Sequence, residues 1–496
     1  DATIDTTIDT PEWVKHAIFY QIFPDRFAKS LRIPKPYNLE PWSDPPTPHG
    51  YKGGDLWGVV EHLDYLEGLG VTALYLNPVF QSASNHRYHT HDYHQVDPML
   101  GGNEALRGLL DAAHDRGMRV ILDGVFNHAS RGFFQFSDLL ENGRQSAYRD
   151  WFRVHSYPLN AYGEGETGYK AWAGLPALPV LNTDTEAVRE FLFDVGTRWL
   201  EFGIDGWRLD VPNEIDDDAF WREFRRRCRE VDPECYIVGE IWGDADRWLE
   251  GDQFDAVMNY PLTHRIFGFV AGAMNTDEMA RSGYRHIDRI DGKGAAEGVT
   301  FELNRYAPEI VQAQLNLLGS HDTPRVRTLM ANDLDAVRMA FAMLLTLPGA
   351  PCIYYGDEIG ARGGHDPGCR QGMPWDDRGA WNEELLDWVR ALAWLRRDNE
   401  ELRTGSCEVV VAEGEVFSYV RGGSKGFVVV VNAGESAASV DWHVGEHLAS
   451  GRWSAVIGAG AFEVAAGHAG DVQGGHADVA QMPARTAVVF RHSSRM

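Results

Sequence analysis

Carboxylates recur in this sequence at one kind of place, just after a short apolar run. Asp123, Asp210, Glu240, Asp322 and the pair Asp357 and Glu358 all stand there, with Asn127, His128, Arg208 and His321 close by. Arg208 and Asp210 are two residues apart, so on an extended chain their side chains leave the same face. A guanidinium beside Asp210 keeps that carboxylate ionised, as a nucleophile requires. Glu240 follows Tyr-Ile-Val-Gly, and burial among such neighbours raises a carboxyl group into the range of a general acid. A pair with those opposed needs is the machinery of glycoside hydrolysis, with the two groups about 5–5.5 Å apart when configuration is retained. Any one of these residues alone reads equally well as a structural ion pair. Their repetition at run ends argues for a shared site.

The runs themselves suggest what positions them. Ile18 to Phe23, Val71 to Leu76, Arg119 to Val125, Gly206 to Val211, Tyr236 to Ile241, Phe254 to Tyr260, Leu315 to Leu318 and Cys352 to Tyr355 read as strands. Helical patterns separate them. Leu106, Leu109, Leu110 and Ala113 recur at helical spacing and end at Gly117; Val188, Phe191, Leu192, Val195 and Phe202 follow a capping box at Thr183 to Glu186 and stop at Gly203. Strand–helix alternation with strands apolar on both faces is what an α/β fold of the (β/α)8 TIM-barrel type needs, and such a barrel does its chemistry at the C-terminal strand ends. A doubly wound open sheet remains the alternative, since alternation does not show closure. The interval between Val125 and Thr183 is too long for an ordinary loop and reads as an inserted subdomain. After about Cys407 short alternating strands (Val416 to Val420, Phe427 to Val431, Ala487 to Phe490) suggest a C-terminal antiparallel β-sandwich. The expected division is 11–127 and 183–404 for the barrel, 128–182 for the insertion and 405–496 for the sandwich.

The 496 residues carry a formal charge of -27, which argues against phosphate-backbone binding and suits a neutral partner, although an acidic surface of itself speaks first for solubility. No run spans a bilayer and the polar start, Asp1 to Thr10, shows no signal peptide, so no membrane or nucleic-acid partner is expected. Five cysteines without ligand spacing read as mostly buried thiols in a reducing, cytoplasmic setting.

At its carboxylates the chain resembles the α-amylase superfamily of glycoside hydrolases (family 13). The ordered blocks are Gly53-Gly-Asp-Leu-Trp-Gly58, Asp123-Gly-Val-Phe-Asn-His128, Gly206-Trp-Arg-Leu-Asp210, Gly239-Glu-Ile-Trp242, Leu318-Gly-Ser-His-Asp322 and Gly356-Asp-Glu-Ile-Gly360. The resemblance implies that Asp210 is the nucleophile, Glu240 the acid/base and Asp322 the third carboxylate, which binds sugar hydroxyls and stabilises the oxocarbenium-like transition state. It implies that Arg208 positions Asp210, that His128, His321 and Asp123 serve substrate binding, and that Tyr88, within Asn85-His-Arg-Tyr-His-Thr90, stacks on the reacting sugar.

Trp207-Arg-Leu-Asp-Val-Pro-Asn-Glu214 and Leu178-Pro-Val-Leu-Asn182 are similar to cyclomaltodextrinases, neopullulanases and maltogenic amylases. In that group Asn213, Glu214 and Trp242 face the acceptor side. Glu214 stands where calcium-dependent amylases carry a metal-ligating His. Although Asn127, another ligand there, is present, no required metal is expected and calcium is not expected at that site. The expected substrate is a short cyclic or branched oligosaccharide with α-1,4 and α-1,6 bonds, such as a cyclomaltodextrin or cyclic maltosyl-maltose. Transglycosylation and a catalytically dead glucan-binding barrel are the alternatives. That group's N-terminal dimer-building domain is not expected before Ile18, so a homodimer would use other surfaces. Aromatics of the insertion (Phe133, Phe134, Phe136, Trp151, Phe152) read for the most part as its own core, with one or two expected over the cleft.

Overall fold

The computed structural model describes residues 7–36, 38–439, 441–443, 447–464, 476–478 and 481–495. The first six residues, including most of the polar start noted above, lie outside them. Eight strands form the first sheet: β1 (Phe19–Ile22), β2 (Ala73–Leu76), β3 (Arg119–Gly124), β4 (Gly206–Leu209), β5 (Tyr236–Gly239), β6 (Ala256–Val257), β7 (Leu315–Leu317) and β8 (Ala350–Tyr354). All pairings are parallel, in the order β6-β5-β4-β3-β2-β1-β8-β7. The two ends meet through a parallel bridge between Met258 and Leu315, so the sheet closes and the open-sheet alternative falls. Strands sealed under helices on the outside and packed on each other inside must be apolar on both faces, and all eight are almost wholly buried.

Helix ends follow local chemistry. The helix Gly102–Asp115 closes with Gly117 at φ 73°, while Met118 N–H returns to the Ala113 carbonyl. The helix Glu186–Phe202 ends at Gly203 as expected, but the capping box does not form. The helix starts two residues late for it, because the Thr185 hydroxyl donates to the Asp150 carbonyl of the insertion at 2.5 Å and caps nothing.

Bridges pairing His128 with Val180 and Phe152 with Leu181 draw the two ends of the insertion together. Phe133, Phe136 and Phe152 are its core, each at most 3% exposed, so they overhang nothing. Phe136 meets Phe152 and Tyr169 edge-on at 5.0 and 4.9 Å. Trp151 packs against the same core and only Phe134 of the group is exposed.

The C-terminal region holds β9 (Cys407–Glu413), β10 (Val416–Arg421), β11 (Phe427–Asn432), β12 (Asp441–His443), β13 (Gly451–Ile457), β14 (Ala461–Val464), β15 (His476–Asp478) and β16 (Thr486–His492). They are antiparallel, hydrogen-bonded in the order β9-β10-β11-β16-β13-β14-β15-β12. Alternate residues of β11 part ways. Phe427, Val429 and Val431 join the barrel's core, whereas Val428 and Val430 join a second core with Trp453, Phe462 and Phe490. Among the described residues no helix is long and apolar enough to cross a membrane. The cysteines are free thiols, four buried and Cys407 half-buried.

Candidate active site

Strand register builds the site. Asp123 of β3 lies directly beside Arg208 of β4, so both side chains emerge together at the barrel's mouth. Arg208 Nη1 donates to Asp123 Oδ1 and Oδ2 at 3.0 and 3.1 Å and to Asp210 Oδ1 at 3.1 Å. Its Nη2 lies 3.3 Å from Glu240 Oε2, an ion-pair contact without hydrogen-bond alignment. One buried guanidinium thus touches three carboxylates from three strand ends.

Glu240 is held from two further directions. Trp242 Nε1 donates to Oε2 and the Val211 amide to Oε1, each at 3.2 Å. Trp242 itself lies flat on Tyr260, centroids 3.7 Å apart. Val211 occupies the left-handed region at φ 34°, ψ 52°, which is strained for a β-branched residue and more so before a proline.

Across the mouth His321 joins the reacting centre to the ends of β1 and β2. Gln21 and Asn77 amides donate to its Nδ1 at 2.9 and 3.3 Å, which leaves the proton on Nε2. That nitrogen reaches the Tyr88 hydroxyl at 2.8 Å, and Tyr88 donates to Asp123 Oδ2 at 2.5 Å. The Tyr88 and His321 rings are stacked at 8°. Asp322 sits 3.3 Å from His321 Nε2 and accepts from Arg370 Nη2 at 3.2 Å.

The charges sort accordingly. Burial raises Asp322, but His321 while protonated, Arg370 and Arg208 outweigh it and hold the carboxyl below its usual value. Burial raises Glu240, with Arg208 offsetting part of the rise. Asp210 is pushed well above the carboxylate range by burial and then by the charge of Glu240. The expectation that Arg208 alone keeps Asp210 ionised is therefore incomplete, because the arginine is shared with Asp123 and Glu240. Burial keeps His321 and His128 neutral, each down to about 3.

Not every candidate converges. His128 is buried against Trp172 at 5.3 Å, beside the Asn127 amide. Asn213 and Glu214 are exposed on the short 3-10 turn Pro212–Glu214 that follows Val211. Asp357 pairs with Arg325 at 2.8 Å and Glu358 accepts from Tyr20 and Tyr65 at 2.8 and 2.7 Å, so these two rim carboxylates brace the fold beneath the loops. Sequence reasoning missed Gln21, Asn77 and Arg370. The first two stand at or just past the ends of β1 and β2, where the criterion applied to the carboxylates would have found them. Arg370 comes from an irregular loop with no such signal. Among the described residues no group of three or more His, Cys, Asp or Glu side chains is arranged to hold a metal ion.

A closed parallel barrel whose strand ends gather three carboxylates around one arginine defines a hydrolase of glycosides. The catalytic domain of α-amylase matches residues 21–405 and the α-amylase C-terminal all-β domain matches residues 409–493. The chain belongs to the α-amylase family of glycoside hydrolases, with relatives of the cyclomaltodextrinase, maltogenic amylase and neopullulanase type. It is 43% identical to a cyclomaltodextrinase of Geobacillus thermopakistaniensis over 89% of this chain and 72% of that protein. A debranching enzyme from Nostoc punctiforme has a similar structure, with TM-score 0.87 and 44% identity over 98% of this chain and 100% of that one. The cyclic α-maltosyl-(1→6)-maltose hydrolase of Arthrobacter globiformis in complex with its cyclic sugar gives TM-score 0.81 and 39% identity over 87% and 93%.

Proposed function

We propose that this protein is a retaining hydrolase of short cyclic or branched α-glucans. The observation that carries it is the single Arg208 guanidinium in contact with Asp210 on one nitrogen and Glu240 on the other. Two carboxyls on one guanidinium are close neighbours, which suits a separation of about 5–5.5 Å and a covalent glycosyl-enzyme. Asp210 attacks the anomeric carbon while Glu240 gives its proton to the leaving oxygen. Water then attacks the glycosyl ester, Glu240 takes its proton, and both carboxyls return to their starting states. Two carboxyls this close do not ionise together. One proton is shared between them, and the double displacement starts from the state in which Glu240 carries it. Asp322, held ionised, faces the positive charge of the transition state. Tyr88 and His321 contact the reacting sugar.

Substrate size and linkage follow from the acceptor side and from the relatives. Trp242 supplies an apolar wall, and Asn213 and Glu214 supply polar contacts beyond the cleavage point. Gly243 is exposed, and a Cβ there would meet nothing within 4 Å, which leaves room for a glucose joined through its 6-position. Among the relatives named above, the cyclomaltodextrinase, the debranching enzyme and the cyclic maltosyl-maltose hydrolase bear the names of enzymes of cyclic sugars or branch points. We hold no metal to be required, place the protein in the cytoplasm on its free thiols, and assign a homodimer to surfaces of the barrel, insertion or C-terminal sheet. The test is NMR of the first products from cyclodextrins, pullulan, cyclic maltosyl-maltose and starch. The α-anomer should form first, and fastest from the short cyclic or branched sugars. A β-anomer would overturn the double displacement, and starch as best substrate would overturn the substrate class.

A further inference from the structure

A cleft of 520 Å³ opens from Arg370 outward, between the loop carrying His89 and His91 and the insertion. Glu240 delivers its proton to the leaving oxygen, so the side of the site holding Trp242, Asn213 and Gly243 receives the leaving group. None of those residues lines this cleft, whereas Arg370, bonded to Asp322, does. The cleft therefore continues the donor side of the substrate.

On its rim stands Tyr162, 74% exposed and backed by Arg131. The Arg131 guanidinium lies 4.2 Å from its ring centroid and donates to the neighbouring Ala161 carbonyl at 2.6 Å. The loop is tied further by Asn160, which accepts from the Gly163 amide and donates to the Glu164 carbonyl, both at 2.8 Å. A large aromatic backed in this way but uncovered has no packing role to explain it. His49, His89 and His91 line the same cleft. Burial and Arg131 hold His89 down to about 4, and burial lowers His91, so these two imidazoles are neutral at physiological pH. Neutral imidazoles offer a donor, an acceptor and an apolar face, which is what a sugar's hydroxyls and C–H surface meet.

We propose that Tyr162 is the platform of a donor-side glucosyl subsite beyond Arg370, walled by His49, His89 and His91, and that it sets how much the enzyme gains from a longer donor. This rests on the reading of the site as an α-glucoside hydrolase. The test uses p-nitrophenyl α-glucoside, α-maltoside and α-maltotrioside, where released nitrophenol reports only the bond at the aglycone and so fixes donor length. The readout is the ratio of kcat/KM for the longest to the shortest donor, taken within one preparation so that the folded fraction cancels. Tyr162→Ala should lower that ratio by about tenfold, and Tyr162→Phe, which keeps the ring face, should hold it near the wild-type value. An unchanged ratio in Tyr162→Ala, or an equal fall on all three substrates, would overturn the subsite and leave the hydrolase reading intact. Failure of the wild type to release nitrophenol from any of the three would overturn both.

Discussion

At the barrel's mouth Arg208 is surrounded by Asp123, Asp210 and Glu240. At the seam with the C-terminal sheet Arg421 and Arg396 are as deeply buried, but their N–H groups, Arg396 Nε apart, end on backbone carbonyls. Arg421 reaches Thr346, Leu402, Gly405 and Ser406, and Arg396 reaches Leu345, Leu347 and Gly349. The surroundings change the cation. Burial opposes the charge of Arg208, yet Asp123, Tyr75 and Glu240 outweigh it and push the group above its ordinary value. Burial pulls both seam arginines below theirs, and Arg396 is lowered again by Arg421. A carbonyl offers a fixed partial charge that neither titrates nor reacts, so it suits a joint. Carboxylates can take a proton or attack a carbon, so the same cation among them organises chemistry.

If that contrast is right, damage at the two places should separate. Asp210→Asn should cut kcat by about four orders of magnitude on any cleaved substrate while Tm moves by less than about 2 °C. Arg421→Met should do the reverse, uncapping several buried carbonyls for about 3 kcal/mol of unfolding free energy in urea, with kcat within about twofold. Loss of turnover without loss of stability in Arg421→Met would break the comparison. A finer probe is the intermediate case, Arg325, which bonds both the Tyr355 carbonyl and Asp357. Burial raises Asp357 to about 7. A raised carboxyl stabilises the fold fully below its unfolded value, and that contribution is lost as pH rises through about 7. Asp357→Asn, which cannot ionise, should therefore lose about 2 °C less of Tm than wild type between about pH 5 and 8. An identical decline in both would show that Arg325 keeps Asp357 charged throughout.

The barrel was readable because each of its strands is buried on both faces and so leaves an unbroken apolar run between polar turns. Limits were blurred where a run passes into another element. Phe254 to Tyr260 shrinks to Ala256–Val257 because Asn259 caps the helix that begins at Tyr260. Closure was not legible, since it depends on Met258 meeting Leu315 across the sheet. The working carboxylates were legible from strand ends and ordered blocks together. Arg370 was not, because an irregular loop carries it to Asp322 and no periodicity marks the spot. The insertion was ambiguous for a related reason. Aromatic content reads the same whether a ring is core, as in Phe133 and Phe136, or uncovered, as in Tyr162.

The twisted backbone at Val211 makes the site vulnerable to a particular kind of improvement. A library selected only for survival on heating would favour Gly or Asn there, since both enter the left-handed region with less strain. Freed backbone at that point would loosen the amide that holds Glu240 Oε1. Thermal selection and selection for turnover thus pull this one position in opposite directions, and a valine kept there is a record of which pressure prevailed.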